Sequence, residues 1–136
     1  MSQMPAAPVE FCKKNIVNGY ANALIVNAGI ANSFTGKKGT ENNRRIANYF
    51  SKLINSRQKD IYICSTGVIG EQLPVQKIKK ALKKSLFGKN KDLKNEAKAI
   101  MTTDTFPKGS AKTITIDNEK ISIVGIAKGS GMIAPN

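Results

Sequence analysis

The chain has 136 residues, with 22 lysines and arginines against 9 aspartates and glutamates, no histidine, and a net charge of +13. Its length suits a single domain with a modest core, and a hydrophobic fraction of 40% lies above the range of disordered chains. The missing histidine excludes from this chain a Ser-His-Asp triad, a Cys-His pair, an imidazole-bearing zinc site and a histidine general base.

The opening segment, MSQMPAAPVEF, lacks the basic and apolar stretches of a secretory signal, and no apolar run approaches the roughly 18 residues of a membrane span. A soluble intracellular protein is expected. Cys12 and Cys64 lie far apart without metal-ligand spacing. Two reduced, largely buried thiols are the leading expectation for them, ahead of a disulfide or a reactive cysteine.

In chain order, the apolar run ALIVN at 23–27 reads as a buried strand. The stretch NAGIANSFTGKKG follows as a turn-rich connection or site loop. It carries neither GxGxxG nor the Gly-Lys-Ser/Thr ending of a phosphate-binding loop. Thr40 is placed to cap a helix over 41–57, with Ile46, Phe50, Leu53 and Ile54 as its apolar stripe. The β-branched run IYIC at 61–64 gives a second strand, broken by STGVIG. Pro74 then sits in or beside the first turn of a helix carrying Val75, Ile78 and Leu82 inward, with Leu86 as a further candidate, and ending at Gly88.

The densest cationic run, IKKALKKSLFGKNKDLK at 78–94, belongs largely to that helix. Apolar residues at helical spacing within it describe a solvated cationic face, which is the leading reading. An electrostatic role toward acidic partners comes second. Nucleic-acid binding comes last, because Phe87 is the one aromatic residue in the run and no base-reading motif accompanies it. Asp92 is expected to cap a third helix reaching Ile100. After Met101 the period changes from 3.6 to 2, giving strands at 112–117 and 121–127 joined through Asn118, Glu119 and Lys120. The final KGSGMIAPN reads as a loop. Strand, helix, strand, helix, helix and hairpin together predict an α/β sandwich.

Three segments carry residues suited to chemistry. Ser65-Thr66-Gly67 follows a strand, where the Thr66 hydroxyl and the Gly67 N–H could face a developing oxyanion; a plain turn is the commoner use of such a pair. In MTTDTFPKG, hydroxyls crowd around Asp104, which residue type alone makes a helix or turn cap. Lys128 enters a glycine-rich loop and could fix a carboxylate, although an exposed loop lysine is the commoner case.

The segments NAGIANSFTG (27–36), STGVIGEQLP (65–74), MTTDTFP (101–107) and AKGSGMIAPN (127–136) stand in the order of a known signature. They resemble the ornithine acetyltransferase family, the bifunctional ArgJ-type glutamate N-acetyltransferases. The departures are small: Ile30 stands where the family often has Asn, and Ser33 where another small residue is usual.

The resemblance implies a layered α/β sandwich of the ornithine acetyltransferase and DmpA type, with only part of the sheet supplied by this chain. It further implies a precursor that cleaves itself into α and β chains shortly beyond Asn136, this chain being the α portion. Family α chains carry a longer stretch ahead of the segment matching Ala7-Pro8-Val9, and that stretch supplies early strands. The β chain would begin with the nucleophilic Thr, whose own amine or a nearby water serves as base, consistent with the missing histidine. Thr66 and Gly67 match the family's oxyanion hole. Thr102 and Lys128 match its substrate-contacting threonine and lysine.

The implied activity is acetyl transfer from N-acetylornithine to glutamate in arginine biosynthesis, in the cytoplasm, by an α2β2 heterotetramer. No permanently bound cofactor and no metal are expected, and acetyl-CoA enters at most as a second acetyl donor. A related self-processed hydrolase or aminopeptidase is the alternative enzyme, and a basic nucleic-acid-binding module the alternative of another class.

Overall fold

A computed structural model describes residues 3–88 and 92–130 of the chain. It divides between residues 89 and 90 into two compact units. The first contains helix α1 (Ala7–Asn15), strand β1 (Ala23–Ile30), helix α2 (Gly36–Leu53), strand β2 (Ile61–Val68) and helix α3 (Val75–Phe87). β1 and β2 pair in parallel, from Ala23 opposite Ile61 to Ile30 opposite Val68. Parallel neighbours need a crossover, and α2 supplies it. The core gathers Ile25, Ile61 and Ile63 from the strands, Phe11 from α1, Ile46, Ala47 and Phe50 from α2, Leu73 from just before α3 and Val75 from its start.

Helix α1 was not legible in the sequence. Its nine residues bury one large side chain, Phe11, beside Ala7 and Pro8, too little for a helical stripe to stand out. Both strands of this unit run further than their apolar runs. β1 continues through Ala28-Gly29-Ile30 and β2 through Ser65-Thr66-Gly67-Val68, because the two segments pair with each other. The break expected at STGVIG therefore comes later, at Ile69 and Gly70. Cys64 is exposed, contrary to the expectation of burial. Strand alternation turns it away from the core occupied by Ile63. Cys12 is half-buried, its thiol donating to the Ile63 carbonyl at 3.3 Å.

Helix α2 starts at Gly36 rather than after Thr40, and ends at Leu53 rather than Arg57. A buried polar cluster explains the early start. Asn32, fully buried and at φ 50°, donates to the Gly39 carbonyl at 3.1 Å and to Asn43 Oδ1 at 2.9 Å, while its own oxygen accepts from the Thr35 hydroxyl at 2.9 Å. A Cβ on Gly39 would strike Thr35 and Asn32, so the first turn of α2 approaches this loop only with glycine there. Asn is also the non-glycine residue that best tolerates the left-handed region.

Asn32→Ala removes three hydrogen bonds from a buried site and leaves the strained backbone in place. It is expected to destabilise the fold by about 2–4 kcal/mol. Urea unfolding of the protein with both halves present measures this; a change below about 0.5 kcal/mol would mean the cluster contributes nothing.

In α3, Val75 is buried and Ile78 and Leu82 pack against the core, as their spacing predicts, whereas Leu86 and Phe87 are exposed. Pro74 precedes the first turn and Gly88 follows the last. The cationic side is accordingly wet, and Lys79 lies over the Tyr49 ring of α2 at 5.1 Å. Residues 89–91 of the basic run lie outside the described residues.

The second unit holds helix α4 (Leu93–Ala99) and the antiparallel strands β3 (Lys108–Ile116) and β4 (Glu119–Ala127). Asp92 caps α4 as expected, accepting from the Lys94 N–H at 3.0 Å. β3 begins four residues before its β-branched run, because Lys108 to Ala111 complete the pairing with Val124 to Ala127. The hairpin turns on Asp117 and Asn118, at φ 50° and 66°, with Ile116 opposite Glu119. Two successive positive-φ residues give the primed turn that matches strand twist, so Glu119 and Lys120 join β4 rather than the turn. Among the described residues, no helix is long and apolar enough to cross a membrane, and no three potential metal ligands come together.

Candidate active site

The C-terminal ends of β1 and β2 place Thr66 opposite Ala28 and Gly67 opposite Gly29. Both glycines have positive φ, 128° at Gly67 and 115° at Gly29. A Cβ on Gly67 would run into the carbonyl group of Gly29 and the nitrogen of Ile30. The two backbones therefore approach each other more closely than any side chain at Gly67 would permit. Asn27 and Ser65 brace the same ends: the Ser65 hydroxyl donates to Asn27 Oδ1 at 2.6 Å, and Asn27 Nδ2 donates to the Ile30 carbonyl at 2.9 Å. Thr66 is half-buried and Gly67 exposed, which leaves the Gly67 backbone accessible. The sequence singled out Thr66 and Gly67 but not the Asn27–Ser65 pair. Each of those two is unremarkable until the register sets them side by side.

The second unit brings together the other two predicted residues. Lys128, the first residue after β4, donates from Nζ to Thr102 Oγ1 at 2.6 Å. An ammonium beside a hydroxyl offers the donors that suit a carboxylate, one of them charged. Beneath them lies Asp104, whose side chain is only 1% exposed. Its Oδ1 accepts from Lys108 Nζ at 2.8 Å and from the Gly129 N–H at 2.6 Å, and its Oδ2 from the Thr102 N–H at 3.2 Å. The Lys108 hydrogen bond above all, and then the Gly129 N–H, hold this carboxyl well below the usual carboxylate range, outweighing the opposing effect of burial. Thr103 and Ser130 share a further hydroxyl hydrogen bond at 2.8 Å.

Residue type made Asp104 a helix or turn cap; its local bond runs instead to the N–H of Thr102, two residues before it. Its bond to Gly129 was not legible, because nothing in the local pattern says that residues 104 and 129 meet. The terminal segment 131–136 of the expected loop lies outside the described residues; Lys128 to Ser130 form no regular structure.

Two solved structures are similar to this chain throughout. An arginine biosynthesis bifunctional protein ArgJ from Bacillus halodurans matches with a TM-score of 0.86 and 32% identity, over 100% of this chain and 72% of that one. An ornithine acetyltransferase from Mycobacterium tuberculosis, solved in complex with ornithine, matches with a TM-score of 0.87 and 31% identity, over 99% and 72%. The chain thus has the α/β fold of ornithine acetyltransferases, in small sheets of two strands each. Among curated sequences, the arginine biosynthesis bifunctional protein ArgJ of Rhizobium meliloti is 46% identical over 99% of this chain, and that of Caulobacter vibrioides 50% identical over 96%. The chain spans about a third of the length of these relatives, 33% and 34%. The sequence model of the ArgJ family matches residues 1–136, and the chain belongs to that family.

Proposed function

We propose that this chain is the α portion of a self-processed acetyltransferase of arginine biosynthesis, which moves an acetyl group from N-acetylornithine to glutamate. In this reading the nucleophile is the N-terminal Thr of a β chain. Its Oγ attacks the acetyl carbonyl, and its proton passes by way of the chain's own amine or a water to the departing amine of ornithine. The carbon–nitrogen bond breaks, leaving an acetyl ester on the Thr. The glutamate amine then attacks the ester, N-acetylglutamate leaves, and the hydroxyl is restored. Thr66 and Gly67 serve both halves of the cycle by donating hydrogen bonds, hydroxyl and N–H, to the tetrahedral oxyanion. Lys128 and Thr102 hold the α-carboxylate that donor and acceptor have in common. Acetyl-CoA is a second acetyl donor for the same ester, the assembly is an α2β2 heterotetramer, and the working compartment is the cytoplasm.

The observation that carries the reading is the 2.6 Å contact of Lys128 Nζ with Thr102 Oγ1. It unites residues 26 positions apart that two separate family motifs supply. Ornithine in the Mycobacterium tuberculosis structure supports the substrate class.

The deciding assay uses the chain co-expressed with a partner chain beginning at Thr. Transfer of labelled acetyl from N-acetylornithine to glutamate is expected; release of free acetate with no transfer would make the protein a hydrolase instead. In that assay Thr66→Ala is expected to lower kcat by about 10²- to 10³-fold, with the fold intact by circular dichroism. Unchanged turnover would remove Thr66 from the oxyanion hole.

A further inference from the structure

We infer that Asp104 is the positioning residue of the carboxylate-binding pair, setting Thr102 and Lys128 against each other through the backbones on which they sit; the inference rests on the reading of that pair given above. The two oxygens of Asp104 divide the work between two chain segments. Oδ2 takes the N–H of Thr102 itself, and Oδ1 takes the N–H of Gly129, the residue next to Lys128. Those N–H groups lie at opposite ends of the β3–β4 excursion, so one carboxylate fixes the entry and the exit of the hairpin together.

The charge economy of the site favours the same role. Lys108 Nζ bonds Oδ1 at 2.8 Å and lies over the Phe106 ring at 4.4 Å. The negative charge of Asp104 is therefore met by Lys108 and by two backbone dipoles. A carboxylate that acts on the N–H next to Lys128 orients the lysine through its backbone. The near-complete burial of the Asp104 side chain suits a fixed support, since a solvated carboxylate would exchange partners.

Asp104→Asn tests this in the two-chain enzyme. An asparagine keeps one acceptor, so either Gly129 or Thr102 must face the amide NH₂, donor against donor. KM for N-acetylornithine and for glutamate is expected to rise about tenfold, with kcat within about threefold of wild type, the size expected for one disturbed hydrogen bond to a charged group. A merely structural role predicts another pattern: a smaller folded fraction lowers apparent kcat and leaves KM where it was. Should Asp104→Asn yield no soluble enzyme, Lys108→Gln decides. It loosens Asp104 while leaving both N–H bonds, and KM is expected to rise about two- to fivefold. An unchanged KM in the decisive variant would overturn the placement of Asp104 while the acetyltransferase reading stood. Absence of acetyl transfer by the wild-type enzyme would overturn that reading first, and this inference with it.

Discussion

Gly67→Ala is expected to cost the protein its β1–β2 junction and, with it, all detectable acetyl transfer. The added methyl would meet the carbonyl group of Gly29 and the Ile30 nitrogen, which are backbone atoms and cannot rotate aside as a side chain can. The position also has φ 128°, a region that residues with a Cβ rarely adopt. The strand ends can accept alanine only by parting, and the parting would break the pairing from Ala28 opposite Thr66 to Ile30 opposite Val68. A penalty above about 3 kcal/mol follows from overpacking and backbone strain acting together. Even a surviving fold would have its Gly67 N–H displaced from the place the proposed mechanism gives to the oxyanion. Soluble yield and urea unfolding of the two-chain protein report the first effect, and single-turnover acylation by N-acetylornithine the second. Wild-type stability in this variant would show that the close approach of the two backbones relaxes without cost.

Lys128→Met carries the largest expected effect on substrate affinity. The methionine keeps most of the length and apolar stem of lysine and removes the charge. A charge-assisted hydrogen bond of about 2–3 kcal/mol is lost, so KM for N-acetylornithine and for glutamate should rise about 30- to 150-fold, with kcat changing much less. The proposed mechanism has both substrates present an α-carboxylate to the same pair, so the two KM values should move together. A neutral analogue makes the assignment specific. The carboxamide of N-acetylornithine should react poorly with the wild type, and the gap between acid and amide should nearly close in Lys128→Met. A persistent gap would place carboxylate recognition elsewhere. Lys128→Arg should recover only part of the loss, since a planar guanidinium does not reproduce the approach of an ammonium to the Thr102 hydroxyl.

The sequence made most elements readable where a single face carries the signal. Val75, Ile78 and Leu82 announce α3, Pro74 and Gly88 bound it, and Asp92 marks the start of α4. Signals failed where pairing or packing overrides local preference. Gly29 and Gly67 look like turn residues yet lie inside strands, because each is the other's partner. Lys37, Lys38 and Gly39 look like loop, yet α2 begins before them, because Gly39 fits against Asn32 and Thr35 where no larger residue could. Helix α1 went unseen for lack of a second large apolar residue to set a period. At the site, Thr66, Gly67, Thr102 and Lys128 came from resemblance, since local chemistry alone favoured ordinary turns and a loop lysine. Asp104 was visible as a residue and invisible as a junction: its partners at 102, 108 and 129 are defined by the path of the hairpin.

That path has a mechanical corollary. A chain that leaves one carboxylate at Thr102 and returns to it at Gly129 forms a closed detour, whose far end turns on Asp117 and Asn118. The root is tied by a buried carboxylate and the tip by left-handed backbone geometry, so the two ends of the β3–β4 arm are held by different chemistry and are coupled through the strand pairing between them.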